Sequence, residues 1–281
     1  MDRVELDEVV SWAAAEGWNP GLQDADCFYQ TDTTGFLVGT LDDEPIAAIS
    51  AVKYGTTFGF IGFYLVKPAF RGQGYGWQMW QAAMASLAGR NVGLDGVVAQ
   101  QANYLKSGFK LAYRNIRYEG VVGRRVERSL GQANTPITGT VPLAAVPVET
   151  VVNYDRCYFP ADREPFVRRW LTQTGHRGLG RWQGDALTGY GILRPCQTGY
   201  KVGPLFADTP EMAEEILAGL TGPLPPQARF YLDTPDINPA AVALAEGYGM
   251  HRVFETARMY TQKSPTLPLA NIFGVTTFEL G

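Results

Sequence analysis

Apolar and polar positions along the first half of the chain predict a sheet with helices laid against it. Residues 36–41 (FLVGTL) and 45–53 (PIAAISAVK) read as two strands joined by the acidic turn Asp42-Asp43-Glu44. A third strand, Phe58 to Val66 (FGFIGFYLV), is apolar on both faces, which places it centrally. Pro68 stops it, a glycine-rich loop follows, and Trp77 to Leu87 (WQMWQAAMASL) carries apolar residues at helical spacing. Residues 92–98 (VGLDGVV) predict another strand. Gln100 to Ser107 predicts a short helix closed by Gly108 as its C-cap, and Phe109 to Val122 one or two closing strands.

The second half repeats the first in outline. Gly108–Arg117 (GFKLAYRNIR) lines up with Gly249–Arg258 (GMHRVFETAR) at a constant offset of 141. Val66–Phe70 lines up with Val202–Phe206 at an offset of 136, and Leu94-Asp95 pairs in order with Leu232-Asp233. Weak matches in one order point to a duplicated fold. Between the copies lies GQANTPITGTVPLAAVP, whose glycine, threonine and proline content reads as a linker. The expected organisation is a first domain over 1–128, a linker over 129–146 and a second domain over 147–281. A chain of 281 residues suits two domains of about 150 each.

Composition narrows the function by exclusion. With 46% hydrophobic and 19% charged residues the chain is globular rather than disordered. Lys+Arg is 24 against 28 Asp+Glu, a net charge of −4, which argues against a nucleic-acid or membrane-surface partner. Arg114, Arg117, Arg124, Arg125 and Arg128 are interspersed with Glu119 and Glu127, so the cluster reads as a solvated face. Three scattered cysteines (Cys27, Cys157, Cys196) and two histidines make neither a disulfide framework nor a metal site, and the cysteines are expected to pack as small hydrophobes. The acidic start and the lack of a long apolar run make the cytoplasm the expected compartment.

Candidate chemistry concentrates in Leu65-Val66-Lys67-Pro68-Ala69-Phe70-Arg71-Gly72-Gln73-Gly74-Tyr75-Gly76-Trp77, a strand running through a glycine loop into a helix. Consecutive loop N–H groups at a helix N-terminus form a cradle for a phosphate. It is no P-loop, since no Gly-Lys-Ser/Thr follows, and its glycine spacing does not fit GxGxxG. The segment instead resembles the Q/R-x-x-G-x-G/A signature of the GNAT acyltransferases, with Arg71, Gly74 and Gly76 at the signature positions. The resemblance implies an α/β (α+β) fold of two tandem domains, each a mixed, mainly antiparallel sheet flanked by helices. It also implies acetyl-CoA as acyl donor. The amides from Arg71 through Gly72, Gln73, Gly74, Tyr75 and Gly76 to Trp77 would hold the pyrophosphate, and Leu65, Val66 and Lys67 would pair with the pantetheine arm.

By the same resemblance Tyr104, four residues before Gly108-Phe109, would protonate the departing thiolate. The asparagine that the family carries seven residues earlier is Val97 here. Many family members place a glutamate on the central strand, but Phe58 to Val66 contains no carboxylate. Asp24, Asp26 and Asp95 are then the candidate bases, and Asp24, Asp26, Phe28 and Tyr64, with the further aromatic residues Trp18, Tyr29 and Phe63, the candidate acceptor wall. The second copy departs from the signature. Ala207, Asp208, Thr209 and Pro210 replace Arg71 to Gly74, and Ala245 stands where the tyrosine is expected. A carboxylate repels a phosphate and proline removes an N–H donor, so this half is expected to support the first or shape its acceptor pocket.

The expected activity is transfer of an acetyl group to a small-molecule amine by direct attack in a ternary complex. A non-catalytic acyl-CoA sensor and an aminoacyl- or peptidyltransferase are the competing readings. No metal is expected, and monomer and homodimer stay open.

Overall fold

A computed structural model describes residues 1–123 and 139–281. The chain opens with α1 (Arg3–Ala15) and α2 (Asp24–Thr31). Asp2 caps α1 in a box with Glu5, and Leu6, Val9, Val10 and Ala13 form its buried stripe. The expected strands follow as β1 (Phe36–Leu41), β2 (Glu44–Tyr54) and β3 (Phe58–Val66). Next come α3 (Tyr75–Ser86), β4 (Asn91–Val97), α4 (Gln101–Lys106) and a single closing strand, β5 (Lys110–Val121).

The second half contains β6 (Thr140–Pro142), α5 (Val148–Asp155), α6 (Glu164–Trp170), β7 (Arg177–Gln183), β8 (Ala186–Pro195) and β9 (Tyr200–Ala207). It ends with α7 (Pro210–Thr221), β10 (Arg229–Pro235), α8 (Pro239–Gly247), β11 (His251–Tyr260) and β12 (Ile272–Gly274). Part of the expected linker over 129–146 is thus structured, because Thr140–Pro142 pairs with β7. Residues 124–138, with Arg124, Arg125 and Arg128, lie outside the described residues.

The strands join in one mixed sheet, in the order β1-β2-β3-β4-β11-β5-β10-β9-β8-β7-β6. The halves have exchanged their long last strands. β11 of the second half pairs antiparallel with β4 of the first, and β5 of the first pairs antiparallel with β10 of the second. β5 and β11 also pair with each other, in a register that is its own image under the 141-residue offset. Arg114 faces Ala257 there, and Ile116 faces Glu255.

Helices α1, α2, α5 and α6 cover one face and share a core that includes Phe28, Phe60, Trp170, Tyr190 and Phe206. On the other face α3 and α4 pack around Trp80, and α7 and α8 around Leu217, in separate cores. Cys27 and Cys196 are buried as expected of small hydrophobes, whereas Cys157 is exposed. Among the described residues no helix is long and apolar enough to cross a membrane.

Candidate active site

β3 and β4 run parallel from Phe58 opposite Asn91 to Ile61 opposite Leu94, and then part. The parting coincides with a bulge in β3. Gly62 pairs with Ser50 and Leu65 with Ala48, so Phe63 and Tyr64 together oppose Ile49. Phe63 takes a left-handed φ of 44° there. The divergence opens a cavity of about 450 Å³ between the strands.

One end of the cavity is the glycine loop. Gly72 (φ 77°) and Gly74 (φ 89°) occupy the left-handed region that only glycine enters freely. Gly74 is the N-cap of α3 and offers no side chain, so the first-turn amides keep their hydrogens for a ligand. Gly76 is required by close packing, since a Cβ there would lie 2.9 Å from the Tyr64 hydroxyl. Two side chains brace the loop: Arg71 Nε donates to the Val66 carbonyl at 2.8 Å, and Gln73 Nε2 to that of Ala69 at 3.1 Å. Arg71 also pairs with Glu16. Leu65, Val66, Arg71, Gly72, Gly74, Gly76 and Trp77 line the cavity. Lys67, Gln73 and Tyr75 stand outside it. Lys67 is turned to Glu8 and Glu44 at 3.6 and 3.4 Å.

Tyr104 also lines the cavity. Its ring packs 5.5 Å from that of Trp80 and against Gly96, where any Cβ would overlap it. Burial, with a smaller contribution from Tyr64, raises the pKa of this phenol well above its ordinary value. It therefore stays protonated.

Trp18 and Phe63 line the cavity together with Phe254 and Thr256 of β11 and Phe278 and Glu279 beyond β12. The second half therefore supplies part of the chamber. Arg117 is fixed beneath it, with its guanidinium 4.8 Å from the Phe278 ring and 5.7 Å from the Phe254 ring. It donates to the Trp18 carbonyl at 2.5 Å and twice to Asp233 at 2.7 Å.

Four expected acceptor residues lie elsewhere, among them Tyr29, whose ring packs 6.3 Å from that of Phe36. Asp24 is buried, accepting from Arg194 Nε at 2.8 Å and from the Gly21 amide at 2.9 Å. Asp26 sits on the surface with Arg3. Phe28 packs in the core between Phe63 and Trp170. Tyr64 does line the cavity, but beside the glycine loop. Asp95 also lines it, with both oxygens held by Arg258 and a further hydrogen bond from Asn115. Phe254, Phe278 and Glu279 escaped the sequence reading, since nothing in their local pattern ties them to a loop some 200 residues earlier.

The corresponding cleft of the second half is closed. Val202 opposes Leu232 as Ile61 opposes Leu94, so β9 aligns with β3 at an offset of 141 and β10 with β4 at an offset of 138. The expected match of Val66–Phe70 with Val202–Phe206 is therefore not the structural one. β9 runs on to Ala207, and only Asp208 and Thr209 separate it from α7, where residues 67–74 separate β3 from α3. The cradle is deleted rather than substituted. Thr209 caps α7 with its own side chain, and Pro210 begins the helix. β12 then fills the splay. It pairs with β9, Thr234 Oγ1 of β10 donates to the Phe273 carbonyl at 3.1 Å, and Val275 N donates to the Asp233 carbonyl at 2.8 Å.

A parted parallel strand pair, an uncapped glycine-led helix and a buried neutral tyrosine together define an acyltransferase of the GNAT superfamily, and the chain belongs to it as a tandem member. Residues 4–109 match the acetyltransferase (GNAT) family and residues 151–274 the acetyltransferase (GNAT) domain. The chain is 30% identical over 273 residues to the holothin acyltransferase of Pseudoalteromonas sp. (strain SANK 73390), covering 97% of this chain and 90% of that one. Its fold matches a crystal structure from Pyrococcus horikoshii with a TM-score of 0.81 at 22% identity, over 100% of this chain and 94% of that one. It also matches a tandem GNAT protein from the clavulanic acid biosynthesis pathway, with a TM-score of 0.63 at 13% identity over 95% and 98% of the two chains. The family generally uses acyl-CoA. The residues present fit such a donor, since bare amides and left-handed glycines suit a pyrophosphate and the open edge of β3 suits an extended arm.

Proposed function

We propose that the chain transfers an acetyl group from acetyl-CoA to the amine nitrogen of a small molecule by direct attack within a complex that holds both. The observation that carries this reading is the continuity of one cavity, from the glycine loop past Tyr104 to an aromatic chamber. Acetyl-CoA supplies an acyl carbon activated as a thioester. The amides of Gly72 to Trp77 hold its phosphates, and the free edge of β3 from Gly62 to Val66 receives the arm. Tyr104 gives its proton to the departing thiolate, which adds roughly 10²-fold or more to the rate. Trp18, Phe63, Phe254 and Phe278 receive the acceptor, so a flat apolar body bearing the amine is favoured. The likeness to a relative named for holothin supports a small-molecule acceptor.

The test is thiol release from acetyl-CoA across a panel of arylalkyl and aryl amines, with Tyr104→Phe alongside. Turnover should fall about 100-fold or more in the variant while acetyl-CoA affinity stays within about twofold of the unaltered chain. Tight acetyl-CoA binding with no acylation of any amine would leave a sensor as the better reading.

A further inference from the structure

We infer that Glu279, delivered by the second half, is the base that takes the proton from the acceptor amine; this rests on the acetyl-transfer reading above. Among the described residues three carboxylates line the cavity, Glu16, Asp95 and Glu279. Glu16 sits at the loop end, paired with Arg71. Asp95 is held by Arg258 at 2.5 and 2.9 Å and by Asn115 at 2.8 Å, so both its oxygens are already engaged by donors. Glu279 remains. It is 4% exposed and borders the chamber beside Phe278, Phe254 and Thr256.

Its setting is that of an oriented acceptor of protons. The Thr277 hydroxyl donates to Oε2, and the Glu279 amide closes the turn by donating to Thr277 Oγ1 at 2.9 Å. Among the described residues no donor meets Oε1. The segment lies directly on β3, since a Cβ added at Gly62 would overlap the Glu279 carbonyl oxygen. The segment thus lays its backbone on a strand that has no carboxylate of its own. Its charge is offset from neighbouring strands, as Arg117 of β5 and Lys201 of β9 both interact with it. Asp233 of β10 shares those cations, and Asp95 and Glu16 are the other anions of the cavity.

The step balances. The amine nitrogen bonds to the acyl carbon as the carbon–sulfur bond breaks. Glu279 takes the proton the nitrogen sheds, and the thiolate takes one from the Tyr104 hydroxyl. Water at the open mouth then reprotonates Tyr104 and deprotonates Glu279.

The experiment follows thiol release from acetyl-CoA with tryptamine, tyramine and aniline, for the unaltered chain, Glu279→Gln and Glu279→Asp, against pH. Acetyl-CoA affinity is measured by calorimetry in parallel. Glu279→Gln should lose 30-fold or more in kcat/KM, keep its affinity for acetyl-CoA, and regain rate only at a pH where the amine deprotonates itself. Glu279→Asp should retain the pH profile of the unaltered chain at a lower rate. Turnover by Glu279→Gln within about threefold, with a parallel pH profile, would overturn this inference alone. Absence of turnover by the unaltered chain would overturn the function, and this inference with it.

Discussion

Arg258 of β11 holds Asp95 of β4 through Nη2 to Oδ2 at 2.5 Å and Nε to Oδ1 at 2.9 Å. Arg117 of β5 holds Asp233 of β10 in the same way, at 2.7 Å through both nitrogens. The two arginines are equivalent under the 141-residue offset, so each half's exchanged strand neutralises the aspartate of the other. Both pairs are buried. Removing one partner leaves a charge uncompensated in the sheet, which costs more than a well-packed apolar pair in its place. Asp95→Asn should therefore destabilise by about 3–5 kcal/mol. The double change Asp95→Leu with Arg258→Met should recover most of that loss, as read by urea denaturation.

Gly74 combines a φ of 89° with the first bare position of the cradle. Gly74→Asp would add both backbone strain and a negative charge where a pyrophosphate is to sit. Acetyl-CoA affinity should fall by about 100-fold or more, on the order of 3 kcal/mol, while circular dichroism stays unchanged. An unchanged dissociation constant would remove the loop from the binding site.

Gly62→Ala pushes a methyl group into the backbone of Glu279 rather than into a movable side chain. The segment must lift from β3 or the strand must bend, with an expected loss of about 1–3 kcal/mol in stability. At a temperature where the variant is folded, acetyl transfer should drop at least tenfold while acetyl-CoA still binds. The two readouts separate at this position because the cradle is built by residues 71–77.

Lys201 is 1% exposed and its Nζ has no hydrogen-bond partner among the described residues. Burial, reinforced by Arg117, pulls its pKa down to about 8. The folded value lies below the unfolded one, so between about pH 8 and 10.4 the unfolded chain binds more protons and stability rises with pH. Below pH 8 the full penalty applies, on the order of 3 kcal/mol. Lys201→Met should thus be at least as stable as the unaltered chain at pH 7, and the two curves should converge by pH 10. Chemical denaturation at a series of pH values checks this.

The loop from Arg71 to Gly76 was legible because its chemistry is local: a strand, a stop, alternating glycines and a helix all fall within a dozen residues. The repeat was legible through β5 and β11, whose side chains keep matching roles. The exchange of those strands was not, because the same offset arises whether each strand stays with its own half or crosses over. Asp24 was misread because its partner lies 170 residues away. An arginine inside the apolar run of β8 (GYGILRP) was the available sign that a buried carboxylate must exist somewhere. Glu279 had no such sign, since a lone acid between apolar residues acquires meaning only from the strand it lands on. The alignment through Pro68 and Pro204 failed because a deletion in the second half brought two unrelated prolines into register.

The strand exchange also sets an order of events during synthesis. As the chain emerges, β4 has no partner on one edge until β11 is made, about 160 residues later. β10 finds β5 already waiting. Contacts of such separation slow folding, and an open apolar edge invites pairing with other chains meanwhile. Neither half is a unit that can be cut out and kept: expressed alone, the first would present β4 unpaired and the second β10. A gene split at the linker should therefore yield soluble protein only when both pieces are made together.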